Sequence, residues 1–236
     1  MSRPAQVTDL QVTDCGDAAV RVWCPDGDAE RAWRRVHDLA GRLDVDRHRF
    51  HIRSVIPTYD AVLVEFDAEH TDHDAVRTLV RSAAGRPPRT DRRPSHFDVP
   101  VVYGGDHGPD LERVAREQDL TADRVVAIHT ERPLVMRCYG SPGGAPMLDG
   151  PAFPHPVRRL ASPRPGVPAG AVAVAGRQAV VSTRPAPGGW CVIGRTPRTL
   201  VEPARDPLSP FVPGDTFRFF PIGEQQWAEY TGPLDG

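Results

Sequence analysis

The sequence contains no lysine: all 29 residues in its Lys and Arg total are arginine. Mechanisms that need a lysine are therefore excluded, among them Schiff-base catalysis and phosphate binding by a P-loop. Any phosphate group that this chain binds must be held by arginine or by residues of another protein.

Cysteine is scarce, and Cys15, Cys24, Cys138 and Cys191 form no C-x-x-C pair. This spacing argues against a zinc site, and we predict no bound metal. The first ten residues lack the apolar core of a signal peptide, and no apolar run is long enough to span a bilayer. We therefore expect a cytoplasmic protein with free thiols.

A large net charge is also absent, because the 236 residues carry a formal charge of -2. A nearly neutral chain gives no electrostatic basis for binding nucleic acid or a membrane surface. The length suits one large domain or two small ones, and either can bury a hydrophobic core.

Residues 1–92 are predicted to form a small α+β sandwich domain. Strand-like runs surround residues 15–17 and 57–60, and each pair of runs is followed by a segment with apolar residues at helical spacing. Asp28 is the expected N-cap of the first helix. The order β-β-α-β-β-α favours a sheet with both helices on one face.

Residues 93–236 are predicted to form a mainly β domain. The Arg- and Pro-rich stretch at residues 85–94 has no apolar residue other than proline, so it indicates a linker. From residue 133 onward, short apolar runs alternate with Gly and Pro, a pattern typical of a barrel or sandwich. The C-terminal "GEQQWAEYTGPLDG" is expected to be a loosely held tail.

Two short helices are expected ahead of these strands, within "YGGDHGPDLERVAREQDLTADRVVAIHT" at residues 103–130. Pro109 is placed in the first turn of one helix, and Thr121 is the expected N-cap of the other. His129 then falls in the last turn, where the helix dipole favours a protonated imidazole.

The same stretch, read from "VPVVYGG" onward, resembles the C-terminal domain of the 5-oxoprolinase B subunit family. This family is also called allophanate hydrolase subunit 1 and includes the Kip-type inhibitors of sporulation kinases. The resemblance continues in "SPRPGVPAGAVAVAGRQ" at residues 162–178 and "PGGWCVIGRTP" at 187–197. In the N-terminal part it is carried by "GDAAVRV" and "VIPTYDAVLVEFD", so it covers nearly the whole chain.

The resemblance implies an α+β N-terminal domain and a cyclophilin-like β-barrel with two leading helices. It also implies a companion C subunit and a third subunit, which together with this chain open 5-oxoproline to glutamate at the expense of ATP. ATP is then the only cofactor expected, and a partner could bind it. The alternatives are an inhibitor of a sensor histidine kinase and a carboxyltransferase-type or allophanate hydrolase subunit.

One family motif is altered in this chain. Where the family has Gly-Phe-x-Pro-Gly-Phe-x-Tyr-Leu, the sequence has "YGSPGGAPML" at residues 139–148. Gly140, Pro142, Gly143 and Leu148 match, but aromatic bulk is missing around Gly144 and Met147. The family's Gln-Thr-Gly-Ile-Tyr-Pro likewise stands as "QAVVST", with Gln178 retained. The pocket of this chain is therefore expected to lack the aromatic side chains that the family has at these motif positions.

Candidate catalytic residues follow from the chemistry of opening a lactam, which needs cations for phosphate charge and an acid–base group. Arg164 and Arg195 are candidate anion clamps, although either could be structural. His129 is a candidate acid–base group, and capping of its helix explains it equally.

Candidate substrate-binding residues lie mostly in Gly-rich stretches of the β-rich half. Gln178 could bind an amide or satisfy local backbone groups, and Trp190 could form a pocket rim or belong to the core. The complete predicted set is Gly140, Gly143, Gln178, Gly188, Gly189, Trp190 and Thr196.

Overall fold

The computed structural model describes residues 10–86, 92–140 and 143–236. The chain divides into two compact units, Met1–Arg92 and Arg93–Gly236. Part of the predicted linker, residues 87–91, lies outside the described residues, as do residues 141 and 142 of the altered motif.

The first unit is a four-stranded antiparallel sheet with two helices. The strands pair in the order β1-β2-β4-β3. In chain order the elements are β1 (Gln11–Asp14), β2 (Ala19–Trp23), α1 (Ala29–Val45), β3 (Ile52–Pro57), β4 (Ala61–Phe66) and α2 (His73–Ala84). The predicted order of strands and helices is therefore confirmed.

The core of this unit follows from the alternation of apolar residues along its strands. Val62, Val64 and Phe66 of β4 are buried in one cluster with Val36 of α1 and Val80 of α2. Alternate residues of a strand point to opposite faces, so both helices cover the same face of the sheet. The Asp28 side chain accepts a hydrogen bond from the backbone N–H of Arg31, which confirms the predicted N-cap.

The second unit opens with a strand and two helices and continues as β structure. Its elements are β5 (His96–Tyr103), α3 (Leu111–Glu117), α4 (Ala122–Thr130), β6 (Leu134–Gly140), β7 (Ala145–Asp149), β8 (Arg164–Val167), β9 (Ala171–Ala175), β10 (Gln178–Val181), β11 (Ala186–Gly188), β12 (Cys191–Arg195), β13 (Arg198–Thr199), β14 (Thr216–Pro221), a 3-10 helix (Glu224–Gln226) and β15 (Gly232–Pro233).

Seven of these strands close a barrel in the order β10-β7-β6-β14-β5-β12-β9. Strands β5 and β14 pair in parallel, and the other neighbours pair antiparallel. The predicted combination of an α+β part and a β-barrel is confirmed. Strands β8 and β11 stay outside the barrel and pair with each other as a two-stranded ribbon.

The structure corrects the predicted start of the first helix in this unit. Helix α3 begins at Leu111, and Pro109 lies in the turn before it. Asp110 occupies the N-cap position, but its side chain makes no capping hydrogen bond because it bonds to Arg164 and Val192 instead. In the second helix, Thr121 does cap through its side chain, as predicted.

The C-terminal segment is not the loose tail that its composition predicted. Leu234 is buried in the barrel core, and its backbone N–H donates to the carbonyl of Thr199. Strand β15 pairs with β13, and Trp227 stacks on His107 with ring centroids 4.7 Å apart. The segment is short and rich in polar residues, but these few apolar contacts fix it against the barrel.

Among the described residues, no helix combines the length and apolarity that a membrane crossing requires.

Gly108 lies where the chain leading to α3 crosses strand β12. A Cβ atom added at Gly108 would overlap the backbone carbonyl of Ile193, so only glycine fits this close approach. A Cβ atom added at Gly166, on the outer ribbon, would have no described neighbouring atom within 4 Å.

We expect Gly108→Ala to lower the free energy of unfolding by about 2 kcal/mol or more, because overpacking a close backbone contact forces a shift of the barrel wall. Gly166→Ala is the matched control and should change stability by less than about 0.5 kcal/mol. Urea unfolding followed by circular dichroism measures both. Equal effects of the two substitutions would contradict the close approach.

Candidate functional site

A row of five side chains crosses the outer face of the barrel. Strand registers place Cys138 opposite Met147, Met147 opposite Val180, Val180 opposite Ala173, and Ala173 opposite Val192. The row therefore runs through β6, β7, β10, β9 and β12. Neighbouring strands are about 4.8 Å apart, so the row is about 19 Å long.

The outer ribbon and the segment before β12 cover part of this row and leave a groove above it. The groove has a volume of about 470 Å³, and the whole row of five forms its floor. Val167 of β8, the strand β11 and Trp190 form one wall. A cavity of this size suits a small-molecule ligand or cosubstrate.

Two arginines give the groove a positive potential. Arg159 and Arg184 both line it, and both side chains are exposed. Within the part of the chain that the structure describes, neither guanidinium has an acidic partner, and no Asp or Glu lines the groove. The Arg159 guanidinium lies over the Trp190 ring, 5.7 Å from its centroid. The groove is therefore suited to an anionic ligand with an apolar or planar part.

Four of the predicted substrate-binding residues lie together in this groove: Gly140, Gly188, Gly189 and Trp190. Gly143 lies at its edge, where its carbonyl accepts a hydrogen bond from the Thr183 hydroxyl at 3.0 Å. Trp190 is half-buried, with one part against the outer apolar cluster and another on the groove. It is thus a rim residue that also packs on the wall.

The other two predicted substrate-binding residues lie elsewhere. Gln178 begins β10 opposite Ala175 and Asp149, outside the groove lining. Thr196 is buried, and its hydroxyl accepts a hydrogen bond from the backbone N–H of Arg198. The Thr196 hydroxyl is thus used in local structure, and substrate binding by Gln178 stays a prediction.

Arg164 is paired within the protein rather than free to clamp a ligand. Its guanidinium donates two hydrogen bonds of 2.7 Å to the two carboxylate oxygens of Asp110. These bonds raise the pKa of the Arg164 side chain. Asp110 also accepts a hydrogen bond from the backbone N–H of Val192 at 2.8 Å. The structural alternative for Arg164 is therefore the one that fits its contacts.

Arg195 lies at the end of β12 and does not line the groove. Its Nε donates to the carbonyl of Ala169 at 3.0 Å, and its guanidinium lies 5.3 Å from the centroid of the Trp227 ring. On β9, the partner of Arg195 is Ala171 and the partner of Gln178 is Ala175. Four residues of strand separate those partners by about 13 Å, so the fold does not bring Arg195 and Gln178 together.

His129 is buried with no exposed surface, which corrects the expectation of a protonated imidazole at a helix end. Burial lowers the pKa of His129 from its usual 6.5 to about 3, so the ring is neutral near pH 7. Its Nδ1 lies 2.8 Å from the Tyr103 hydroxyl, whose pKa burial raises well above its usual value. From this position the ring contacts no solvent, and an acid–base role at the groove is not supported.

Cys138 is the one titratable thiol among the described residues of the groove lining. Its side chain is largely buried, and burial raises its pKa to about 11. A thiol with this pKa is protonated at neutral pH and is a poor nucleophile. Cys138 therefore contributes shape to the floor rather than reactivity.

Arg159 and Arg184 are site residues that the sequence motifs do not include. Arg184 directly follows "QAVVST", so its position next to that motif is a signal that could identify it. Arg159 lies in an irregular loop after β7, and one of the contacts that hold this loop beside the groove is the hydrogen bond of 2.7 Å from the backbone N–H of Leu160 to the carbonyl of Gly189. No local pattern in the sequence marks that contact.

The buried His129 makes the stability of the barrel unit sensitive to acid. The unfolded chain takes up a proton on this histidine below about pH 6.5, whereas the folded chain does so only near pH 3. Stability is therefore lost as the pH falls through this window, by up to about 1.4 kcal/mol per pH unit.

We expect the double variant Tyr103→Phe/His129→Leu to lose less stability than the unaltered chain between pH 7.5 and pH 5, by about 2 kcal/mol. Replacing both residues removes the titrating ring and leaves no unpaired hydroxyl. Urea unfolding at both pH values gives the comparison. The same acid loss in both proteins would contradict a depressed pKa at His129.

Asp110 bonds to Arg164 in the wall and to Val192 in the floor of the groove, so its removal should lower the stability of the fold. We expect Asp110→Ala to lower the free energy of unfolding by about 3 kcal/mol, because it leaves Arg164 and the Val192 N–H without their partner. Asp123→Ala, an exposed carboxylate on α4, is the control and should cost less than about 0.5 kcal/mol. Thermal unfolding distinguishes the two, and an Asp110 effect as small as the control's would reject the assignment.

Comparisons with known proteins place this fold in a family. In sequence, the chain is 40% identical over 133 residues to the 5-oxoprolinase B subunit of Bacillus subtilis (strain 168). It is 43% identical over 129 residues to the protein of the same name in Escherichia coli O157:H7. These matches cover 56% and 54% of this chain and 55% and 59% of the relatives. The chain thus spans about half the length of the curated relatives it matches.

Solved structures show the same fold. TTHA0988 superposes with a TM-score of 0.74 at 29% identity, covering 88% of this chain and 40% of that one. The uncharacterized protein PH0987 from Pyrococcus horikoshii gives 0.53 at 30% identity, covering 92% of this chain and 100% of its own. The urea amidolyase of K. lactis gives 0.76 at 16% identity over 96% of this chain and 16% of that one, which is a likeness of fold alone.

A sequence model of a domain family matches most of the chain. The model of the carboxyltransferase domain, subdomain C and D, matches residues 10–211, which include most of both units and all the groove-lining residues. The chain therefore belongs to the carboxyltransferase subdomain C and D family, the family of the 5-oxoprolinase B subunit.

Proposed function

We propose that this chain is a subunit of an ATP-dependent 5-oxoprolinase-type complex, which hydrolyses 5-oxoproline to glutamate together with a companion C subunit and a third subunit. The proposal rests on one observation. Described residues from the stretches that correspond to motifs of the B subunit line one groove, which has an apolar floor and two arginines that lack acidic partners among the described residues. These residues are Tyr139, Gly140, Ala145, Met147, Val180, Ser182, Thr183 and residues 187–190. Three relatives at 36–43% identity carry the name of that subunit.

The substrate carboxylate is assigned to the Trp190 end of the groove. Arg159 offers a guanidinium that lies over the indole ring, and a carboxylate pairs well with guanidinium N–H groups. Gly188 and Gly189 have no side chains, so a flat lactam ring can approach the backbone beside Trp190. The lactam then lies against an aromatic surface with its anion outward.

The chemistry of the groove alone is incomplete. Opening an unstrained lactam requires activation of its carbonyl, which ATP supplies by transferring its γ-phosphoryl group to the lactam oxygen with release of ADP. Water then attacks the carbon, the C–N bond breaks as the nitrogen takes up a proton, and hydrolysis of the resulting acyl phosphate by a second water releases phosphate. Water attack needs a general base, yet no His, Asp or Glu is among the described residues that line the groove. A companion subunit would provide that base, which is why we assign activity to the complex and not to this chain alone.

Inhibition of a sensor histidine kinase stays a prediction, because no contact among the described residues of either unit singles out a kinase-binding surface. A carboxyltransferase-type role is the other alternative, and it shares the anion-binding groove with the proposed function. Glutamate is the product that distinguishes the proposed reaction from both alternatives.

We expect Arg159→Gln to lower kcat/KM for 5-oxoproline by about tenfold or more, because a charge-assisted pair with the carboxylate is lost. The assay combines this chain, the companion and third subunits, ATP and 5-oxoproline, and measures glutamate.

Arg218→Gln is the matched control, since Arg218 is an exposed arginine on β14 that does not line the groove. It should leave kcat/KM within about twofold. A complex with the unaltered chain that forms no glutamate, under conditions where a known B subunit supports the reaction, would reject the proposed function. Equal losses in both variants would reject only the carboxylate site.

A further inference from the structure

The groove is larger than a single lactam requires. A molecule of 5-oxoproline occupies roughly 150 Å³, about the volume of five water molecules in the liquid. The groove has a volume of about 470 Å³. A lactam assigned to Arg159 and Trp190 lies near the Val192 end of the row, because Trp190 precedes Val192 by two residues. The floor beyond Ala173 then has space for a further part of the ligand.

This further part of the floor is apolar. Beyond Ala173, the row continues through Val180, Met147 and Cys138, and Val180 packs against the outer apolar cluster. From the spacing of strands, Val180 lies about 10 Å from Val192. Burial raises the pKa of Cys138 to about 11, so the thiol carries no charge near neutrality. An apolar group placed on these three side chains is removed from water without meeting a charge on the floor.

The polar groups beside this part of the floor do not require a polar ligand. The hydroxyl groups of Tyr139 and Thr183 already donate to backbone carbonyls, at 2.6 Å and 3.0 Å. Ser182 is half-buried and Arg184 is exposed, so both keep contact with solvent. An apolar group on the floor therefore breaks no hydrogen bond of these side chains.

We propose that Val180, Met147 and Cys138 form an apolar subsite, which binds an alkyl or aryl extension of the carboxylate-bearing ligand. The inference deepens the proposed function and rests on it for the position of the carboxylate at Arg159. The substrates of the groove are then cyclic amides that carry a carboxylate and an apolar substituent, and they bind more tightly than 5-oxoproline itself. Each CH2 group that such a substituent buries strengthens binding by about fourfold.

Unbranched carboxylates test the subsite without the lactam. The full chain is titrated calorimetrically with butanoate, hexanoate and octanoate, whose apolar chains grow in equal steps, and with 5-oxoproline. In the variant Val180→Phe, a larger side chain fills the floor where the subsite begins, whereas Val180→Thr keeps the shape and adds a hydroxyl group. Val45→Phe is the matched control, because Val45 is an exposed residue of α1 outside the groove. Arg159→Gln tests the position of the carboxylate.

We expect octanoate to bind the unaltered chain about tenfold or more tightly than butanoate. Val180→Phe should reduce this ratio to about threefold or less, and Val180→Thr should reduce it in the same direction. Val45→Phe should leave the ratio unchanged. The Kd of 5-oxoproline should stay within about twofold in both Val180 variants, because the lactam does not reach this residue. Arg159→Gln should weaken both carboxylates by about tenfold.

Three results would overturn the proposal. One is that octanoate binds no more tightly than butanoate, or that neither binds. Another is that both Val180 variants keep the full ratio, which would place the alkyl chain elsewhere. The last is that Arg159→Gln leaves octanoate binding unchanged, since the carboxylate would then not lie where the subsite requires it.

The outcome is separable from that of the activity assay. A complex that forms glutamate from 5-oxoproline, with a chain that shows no preference for octanoate, removes only the apolar subsite. A preference for octanoate that depends on Val180, in a chain whose complex forms no glutamate, removes only the proposed reaction.

Discussion

The ion pair between Asp110 and Arg164 is the contact on which the groove depends. Arg164 belongs to the outer ribbon, which forms a wall, and the Val192 N–H that Asp110 also binds belongs to a floor residue. One buried carboxylate thus fixes the wall relative to the floor. Charge-assisted bonds to two partners hold that spacing more firmly than apolar packing alone, because they are directional.

The groove forms on the outer face of the barrel wall, whereas the inner face of the same strands packs in the core. On β9, Val172 and Val174 belong to the interior core, whereas Ala171 and Ala173 belong to the outer cluster under the ribbon. Because these outer alanines are small, their side chains extend little above the sheet. Space therefore remains between the floor of the groove and the ribbon that covers it. A larger side chain in place of Ala173 would close the space between Val180 and Val192, its neighbours in the row.

Features set by neighbours in sequence could be predicted, and features set by distant contacts could not. Alternation along β4 and the caps at Asp28 and Thr121 are local, and the structure agrees with them. The sequence leaves Arg164 open between a ligand-binding and a structural role, because the acidic partner that fixes its role lies 54 residues away. The helix end suggests a charge on His129, but the fold buries this residue beside Tyr103, where desolvation outweighs the helix dipole.

Because the cationic residues of the groove are arginines, its charge changes little with pH. A guanidinium stays protonated throughout the range in which proteins are folded, so Arg159 and Arg184 offer constant charge to a ligand. The lining thiol of Cys138, with a pKa of about 11, is likewise uncharged near neutrality. The charge that the groove presents should therefore be nearly independent of pH around 7. A pH optimum for the proposed reaction would then have to originate in a base outside the described lining, such as one on the proposed companion subunit.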